Sequence, residues 1–274
     1  MAGVKKHSVL LAIIGFLLAL LVLSPLLYCL SASFMTASEL SSWPPNLITK
    51  TFYWQNYTEA IALAPLFRFI LNSAVIALAC TAAQLVTGSL AGYAFGTMHF
   101  RGQKVMFLLF LATMMIPGQA IIIANYLTVT KLGLIDSYGA MILPYMTSAF
   151  CIFNMRQAYM SLPRDLFEAA TIDGANTLQT FFKVGMPLTM PFLGAMGINT
   201  FLSVWNQYLW PLLVTNSTEM RTVQIGLGML QNSDGMSYGP IMAGTMIILL
   251  PSILVFVLGQ KSLISGLTAG AVKG

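Results

Sequence analysis

The residues best suited to hold a polar ligand lie near the end of one apolar stretch, residues 190–214. Sugar sites commonly combine aromatic faces with amide hydrogen bonds. This stretch supplies both kinds of group in Trp205, Asn206, Gln207 and Trp210, which are therefore our candidate ligand-binding residues. The alternative, which the sequence alone favours, is that they form hydrogen bonds between packed helices and an aromatic belt at a membrane boundary.

Groups that could perform catalysis or bind a metal are scattered along the chain. Cys29, Cys80 and Cys151 form an odd, dispersed set without disulfide or metal-ligand spacing. His7 and His99 are far apart, and no His, Asp or Glu cluster has the spacing of an active site. We therefore predict no catalytic residue, no metal site and no cofactor in this chain, and a membrane-embedded enzyme is the least favoured class.

The composition is typical of an integral membrane protein. Hydrophobic residues make up 57% and charged residues 8%, with a mean hydropathy of +0.80, whereas soluble domains have about 25% charged residues. Because long apolar runs recur throughout, we predict an all-α membrane protein with a single transmembrane domain over residues 1–274. The predicted spans are residues 9–30, 69–95, 105–127, 137–155, 190–214 and 238–258.

The distribution of Lys and Arg indicates how these spans are oriented. With the N-terminus in the cytoplasm, nine of the thirteen Lys and Arg residues fall on the inner side and four on the outer side, which is the bias expected of cytoplasmic loops. We therefore predict that both termini are cytoplasmic and that the first helix is retained, since its apolar run exceeds the ~7 to 15 residues of a signal peptide. The net charge of +5 reflects this topology and gives no indication of nucleic-acid binding.

The predicted spans lack the usual features of a transporter that works alone. No Asp, Glu, Lys or Arg lies near the centre of any span, although such residues mark proton relays and ion-coupled carriers. The chain also lacks the Gly-x-x-x-x-Gly-Lys-Ser/Thr loop that cradles nucleotide phosphates. If a nucleotide drives this protein, another subunit binds it. A self-sufficient secondary carrier or channel is the alternative.

The longest polar interruption on the predicted cytoplasmic side is the segment of residues 160–191. Pro163 is typical of a helix start, and Asp173-Gly174 indicates a turn because glycine adopts positive φ without a steric penalty. A second short helix is predicted over about residues 177–184, with Pro187 and Pro191 ending it. The segment is therefore predicted to be a helix, a glycine turn and a second helix.

Such a helical pair could dock onto another protein. Its alanines allow close backbone approach, and Phe167, Phe181 and Phe182 could fill pockets on a partner. The alternative is that the segment lies against its own helices or the lipid headgroups. The residues alone leave both open.

This segment resembles the EAA loop of ABC importer permeases. The match rests on Glu168-Ala169-Ala170, Gly174 and Pro187, and residues 162–175 resemble the carbohydrate-uptake branch especially closely. The C-terminal residues resemble those of the maltose-type second permease subunit and of glycerol-3-phosphate permeases. The further matches are Trp54-x-Asn56-Tyr57, Met115-Ile116-Pro117, Trp205 to Pro211 and Ser265 to Gly274.

The resemblance implies the type I ABC importer permease fold, with six transmembrane helices and cytoplasmic coupling helices. The expected partners are a second permease subunit, forming a heterodimer, two ATP-binding subunits that bind ATP and Mg, and an extracytoplasmic substrate-binding protein. The expected location is the bacterial plasma membrane, and the expected cargo is a sugar, an oligosaccharide or glycerol 3-phosphate. The outer segments 31–66 and 216–237, rich in aromatic residues, Pro and Asn, would form the platform for the binding protein.

The resemblance also assigns roles to individual residues. The residues expected to contact the ATPase through the EAA loop are Glu168, Ala169, Ala170, Asp173, Gly174 and Pro187. The C-terminal contact with the ATPase would involve Gly270, Lys273 and Gly274, unless this end is a disordered basic tail. The chain departs from its relatives at Val184-Gly185-Met186-Pro187, where they have Ile-x-Leu-Pro, so the second short helix is expected to end early.

One further pattern concerns packing. Gly88, Gly92 and Gly96 repeat every four residues in the second span. This spacing places the three glycines on one helix face and lets a neighbouring helix approach closely. We predict a helix-packing surface there.

Overall fold

A computed structural model describes the backbone of residues 2–231 and 238–269 and the side chains of residues 11–231 and 238–261. These residues are helical and include no strand, which confirms the all-α prediction. The helices are α1 (Ala2–Ala32), α2 (Ala37–Leu40), α3 (Gln55–Leu63), α4 (Leu66–Thr97), α5 (Gln103–Thr113), α6 (Gly118–Lys131), α7 (Tyr138–Ile142), α8 (Ala149–Met160), α9 (Arg164–Ile172), α10 (Thr177–Thr180), α11 (Met186–Leu188), α12 (Met190–Trp205), α13 (Leu209–Val214), α14 (Val223–Gln231) and α15 (Tyr238–Ala269). Turns of 3₁₀ helix cover Leu143–Tyr145 and Thr218–Met220, and a π-helical turn covers Phe181–Gly185.

Three helices of the described chain, α1, α4 and α15, are long and apolar enough to cross a membrane by themselves. They overlap the predicted spans 9–30, 69–95 and 238–258, and each is a continuous helix. α4 extends three residues before and two after its predicted bounds, α1 begins seven residues early, and α15 begins at Tyr238 as predicted but continues 11 residues past Leu258. Two bent helix pairs raise the number of candidate spans to as many as five.

The other three predicted spans contain breaks in the helix. The run 105–127 breaks between α5 and α6, whose axes differ by 95°, because Pro117 cannot continue the hydrogen-bond ladder. The run 137–155 divides into α7, a 3₁₀ turn containing Pro144, and α8. The run 190–214 is interrupted between Trp205 and Leu209.

The described chain forms two compact units, and residues 1–66 with 226–250 make up the first. Its buried Asn56 donates from Nδ2 to the carbonyls of Ser33 at 3.0 Å and Met35 at 2.8 Å. Gly239, near the start of α15, lies directly against the Asn56 side chain, so that a Cβ there would overlap the amide. These contacts fix the end of α1 and the start of α15 to α3.

A carboxylate organises the turn that follows α1 in the first unit. The side chain of Glu39 accepts hydrogen bonds from the backbone N–H of Thr36 at 2.9 Å, the hydroxyl of Thr51 at 2.8 Å and the backbone N–H of Lys50 at 3.0 Å. Because these donors favour the ionised form, they lower the pKa of Glu39 to about 2. The ionised carboxylate therefore joins α2 to residues 50–51.

The second unit contains residues 67–225 and 251–274, and a tight contact between α4 and α8 lies at its centre. A Cβ placed on Gly92 would lie 2.6 Å from Met155 Cβ and 2.8 Å from the backbone nitrogen of Arg156. This confirms the predicted packing surface. We call the contact the glycine seam; it consists of Gly88, Gly92 and Gly96 on α4 and Cys151, Met155, Arg156 and Tyr159 on α8.

The loops at one end of the second unit are held by polar side chains. Asp136 adopts a positive φ of 60°, and its carboxylate accepts from the backbone N–H groups of Asn216 at 2.9 Å and Ser217 at 3.0 Å. The bond from Ser217, followed by the one from Asn216, holds the pKa of Asp136 below its usual value. Asn72 donates to the carbonyl of Glu219 at 2.7 Å. These bonds fix the chain after α13.

Candidate functional site

Two neighbouring cavities in the second unit lie where its helices are interrupted. The larger has a volume of about 320 Å³ and is lined by residues from all three breaks: Gly118 and Gln119, Pro144 and Tyr145, and Gln207 and Tyr208. The smaller, of about 180 Å³, also includes Tyr145 and Gln207. We refer to the two together as the polar cavity. Its remaining polar lining residues are Gln84, Asn125, Ser148, Asn199, Thr200 and Ser203.

Three of the five amide side chains that line the polar cavity have no hydrogen-bond partner among the described residues. Gln84 donates from Nε2 to the carbonyl of Tyr145 at 2.7 Å, which closes one wall. The side chains of Gln119, Asn125 and Gln207 make no hydrogen bond with any other described residue, and all three line the larger cavity. Since backbone breaks and free amides are tolerated within lipid only where they face protein or water, this arrangement is suited to bind a polar solute.

Of the four predicted ligand-binding residues, two line the polar cavity and two do not. Gln207 lines both parts of the polar cavity, and Trp210 lines the larger part while donating from Nε1 to the Ala140 carbonyl at 3.1 Å. Asn206 accepts from Gln224 Nε2 at 3.1 Å and does not line the cavity. Trp205 is only 2% exposed, so its ring packs inside the protein in this conformation.

Sequence reasoning missed several residues of the polar cavity. Gln84, Gln119, Asn125 and Tyr145 were not predicted, although the first three are amides inside apolar runs. The prediction for those runs rested on ionisable residues alone. An amide inside an apolar run would have identified them, because burying an unsatisfied amide in lipid is costly.

The predicted docking segment, residues 160–191, contains the helix, turn and helix expected. Gly174 has a φ of +80° and donates to the Thr171 carbonyl at 3.0 Å, while Ala175 donates to the Ala170 carbonyl at 2.9 Å. These two bonds form a Schellman motif, which ends α9. Asn176 and Gln179 then form a capping box that begins α10. The turn is therefore fixed by bonds at both helix ends.

The second half of this segment differs from the prediction at Pro187. The helical path continues through the π-helical turn of Phe181–Gly185 and through Pro187 to Leu188, so the expectation that it ends early was wrong. A proline ring normally collides with the carbonyl four residues before it. Here that carbonyl belongs to Lys183, which lies in the wider π turn.

The aromatic residues of the segment divide between its two faces. Phe181 is buried and packs edge-on against Tyr93 with ring centroids 5.2 Å apart, so it anchors the segment to its own chain, as the alternative interpretation proposed. Phe167 is partly buried and also packs toward Tyr93. Phe182 is 58% exposed. Of these three residues, only Phe182 is largely open to a partner.

The residues assigned to ATPase contact also differ in their exposure to solvent. Glu168, Ala169, Asp173, Gly174 and Pro187 are not buried, whereas Ala170 is buried against its own chain. The same segment also has three exposed apolar side chains, those of Ile172, Leu178 and Phe182. Gly270, Lys273 and Gly274 lie outside the described residues.

A family model described as "Binding-protein-dependent transport system inner membrane component" matches residues 84–263. This region includes all the described residues that line the polar cavity and the whole docking segment. The chain belongs to this family. Its members include permeases closely similar to this chain over almost their whole length.

Two relatives illustrate this similarity. The arabinooligosaccharides transport system permease protein AraQ of Bacillus subtilis is 36% identical over 271 residues, covering 98% of this chain and 96% of the relative. The sn-glycerol-3-phosphate transport system permease protein UgpE of Yersinia pestis is 33% identical over 256 residues, covering 90% and 91%. A solved bacterial ABC transporter involved in the import of the acidic polysaccharide alginate shares the fold, with a TM-score of 0.80, 22% identity and coverage of 94% and 96%.

These similarities establish the role of this binding-protein-dependent transport component. It is the permease subunit of an ABC importer and a multi-pass membrane protein. A permease of this family is a transport subunit, and its importer includes a permease partner, an ATPase and a substrate-binding protein. The chain thus belongs to a multi-subunit importer, in contrast to the alternative of a carrier that works alone.

Proposed function

We propose that this permease forms half of the translocation pathway for an oligosaccharide and that the polar cavity is the part of the chain that contacts the cargo. The observation that carries the proposal is the convergence of three helix breaks on one cavity. Unpaired amides there, beside the aromatic rings of Tyr145, Tyr208 and Trp210, offer the hydrogen bonds and apolar faces that sugars require.

The charge of the cavity favours a neutral sugar over glycerol 3-phosphate. No Lys or Arg is among the described residues that line either part of the polar cavity. A phosphate group moving through a low-dielectric region needs a compensating positive charge. The similarity to a glycerol-3-phosphate permease keeps that solute as the second candidate, for which the partner permease would have to supply the charge.

The complete importer in this proposal is a heterodimer of two permeases with two ATP-binding subunits and one extracytoplasmic binding protein. ATP and Mg are bound by the ATPase. In this proposal the chain has six spans and both of its termini lie in the cytoplasm of a bacterial cell, as the distribution of Lys and Arg supports. Exposed aromatic residues in the outer segment, including Trp43 at 90% and Phe52 at 80%, provide the surface for the binding protein.

The docking segment couples the permease to the ATPase in the same proposal. Glu168, Ala169, Asp173 and Gly174 lie on exposed surface, and the nearby apolar side chains have no cover within the described chain, with Ile172 exposed by 85%. Phe181 joins this surface to α4. A movement of the ATPase is therefore transmitted to the glycine seam, and the C-terminal residues Gly270, Lys273 and Gly274 provide a second contact.

Gln207→Leu tests the pathway. The substitution keeps the side-chain size similar and removes the amide hydrogen bonds, each worth about 1 kcal/mol, so uptake of the labelled oligosaccharide at subsaturating concentration is expected to fall about fivefold or more. The control is Gln157→Leu, which changes an exposed glutamine on α8 that lines neither part of the polar cavity. Equal uptake by both variants and the unmodified importer would contradict the proposal.

Ile172→Ser tests the coupling surface. Burial of an isoleucine side chain contributes about 1.5 to 3 kcal/mol, so the amount of ATPase that co-purifies with the permease is expected to fall about tenfold. Leu132→Ser is the control, because Leu132 is 62% exposed but follows α6, on the predicted outer side. Undiminished recovery of the ATPase with Ile172→Ser would count against this surface and would leave the pathway proposal unaffected.

A further inference from the structure

Another cavity of the second unit, of about 590 Å³, lies beside α9 and outside the proposed pathway. The ends of α4, α5, α8 and α9 surround it. Its charged and titratable lining residues include His99, Lys104, Arg156, Arg164 and Glu168, so that three permanent positive charges face one carboxylate among the described residues that line it. We call it the basic cavity.

The Arg156 guanidinium lies in this cavity, and only part of it is hydrogen-bonded to described residues. Its Nε donates to the Phe95 carbonyl at 3.1 Å, and its Cζ lies 4.2 Å from the centre of the Phe107 ring. Its two terminal amino groups make no hydrogen bond with any described residue. A fixed guanidinium with free parallel donors is well suited to bind the oxygens of a phosphate.

The wall formed by α5 is apolar and continues onto an exposed surface. Phe107, Leu108 and Leu111 line the cavity, and Leu108 is 64% exposed. Val105, which is 63% exposed, lies three residues before Leu108 and therefore on the same face of α5. The site is therefore amphipathic: basic groups lie at one end and an uncovered hydrocarbon surface adjoins the other.

We propose that the basic cavity binds the phosphate headgroup of an anionic glycerophospholipid whose acyl chains lie along the exposed face of α5. A small free anion would bind the basic groups but would leave the apolar wall without a contact. Basic pockets between membrane helices on the cytoplasmic side bind anionic headgroups, and Lys104, Arg156 and Arg164 are on the predicted cytoplasmic side. Because Arg164 and Glu168 belong to α9, the bound lipid would also contact the coupling segment.

A tryptophan placed in the site can report which lipid occupies it. Leu108→Trp puts an indole on the cavity wall, and the control Leu109→Trp puts one on the same helix outside the cavity lining. The full chain is reconstituted in vesicles containing brominated phosphatidylglycerol or brominated phosphatidylcholine, with matched acyl chains. Fluorescence from the four native tryptophans is subtracted using the unmodified chain. We expect phosphatidylglycerol to quench the indole at position 108 preferentially, and both lipids to quench position 109 equally.

Removing one positive charge at a time should reduce this preference. Lys104→Gln and Arg164→Gln, added singly to Leu108→Trp, are each expected to lower the preference for phosphatidylglycerol about fivefold, the ratio that corresponds to about 1 kcal/mol per basic residue near an anionic surface. Equal quenching at position 108 by both lipids would overturn the proposal. The absence of quenching by either lipid would also overturn it, because it would show that no acyl chain lies against this face. Loss of the preference on adding inorganic phosphate at constant ionic strength would overturn it too, because it would indicate a free-anion site.

Discussion

The glycine seam and the polar cavity are built from similarly apolar helices and have opposite properties. In the seam, α4 runs unbroken for 32 residues, and its glycines bring the α8 backbone within contact distance of its own. Around the cavity, the helices break three times and expose amides that bind no described residue. The seam is therefore a closely packed frame, and the cavity has polar groups without a partner among the described residues.

This difference follows from how backbone groups are satisfied in lipid. A continuous helix satisfies its own N–H and C=O groups, so small side chains can be used for close packing. A broken helix leaves some of these groups without an intrahelical partner, and they are tolerated only beside a cavity or protein. The segments with broken helices are thus those able to contact cargo.

The largest expected effect comes from adding one methyl group to each region. Gly92→Ala would place a Cβ within 2.6 Å of Met155 Cβ and 2.8 Å of a backbone nitrogen, and such overpacking costs about 1 to 3 kcal/mol or more. Gly118→Ala at the polar cavity is the matched variant, since nothing lies within 4 Å of its Cβ, and its effect should remain within about 1 kcal/mol. Thermal unfolding of the two purified variants in detergent measures the difference. Equal midpoints would show that the seam tolerates an added methyl group as well as the cavity does.

A smaller effect is expected from removing one hydroxyl in each region. Ser89 and Tyr159 share a buried hydrogen bond of 2.7 Å across the seam, so Tyr159→Phe leaves a buried hydroxyl unsatisfied and should cost about 1 to 2 kcal/mol. Ser203 donates to Asn199 at 3.3 Å in an exposed position, and Ser203→Ala should change stability by less than about 0.5 kcal/mol. Urea-induced unfolding followed by circular dichroism provides the measurement. A larger loss for Ser203→Ala would reverse the comparison.

The frame was more predictable from sequence than the cavity, for a physical reason. The length of an apolar run determines whether it can span a membrane, and the four-residue spacing of Gly88, Gly92 and Gly96 specifies one helix face, so α1, α4, α15 and the seam were predicted correctly. The break after Trp205 contains no proline or glycine. It depends on contacts with neighbouring segments, such as the bond from Gln224 to Asn206, which local sequence does not reveal.

The docking segment shows the same limit on a smaller scale. Asp173-Gly174 predicted the turn because positive φ strongly favours glycine, and the structure has that conformation at Gly174. Adjacent residues such as Phe181 and Phe182 carry no periodicity that distinguishes a buried ring from an exposed one. The π turn that sets their directions has no local signal comparable to that of glycine or proline.

The smallest expected effect is a loss of stability at low pH. It should arise at Glu39, outside both the glycine seam and the polar cavity. No Asp or Glu is among the described residues that line the polar cavity or form the glycine seam, whereas Glu39 has a pKa lowered to about 2. A carboxylate whose pKa is lower in the folded protein stabilises it above the unfolded value of about 4.3 and loses that contribution as the pH falls toward the folded value. Glu39→Gln should therefore lower the thermal midpoint at pH 7, and its difference from the unmodified chain should shrink between about pH 4 and pH 2.

Glu59→Gln provides the control for this prediction. Glu59 is an exposed residue of α3 in the same unit, and its side chain makes no hydrogen bond with any described residue. Its replacement should leave the midpoint nearly unchanged at every pH. A difference for Glu39→Gln that stayed constant down to about pH 2, or that disappeared near pH 6, would show that the hydrogen bonds to its carboxylate do not produce the effect.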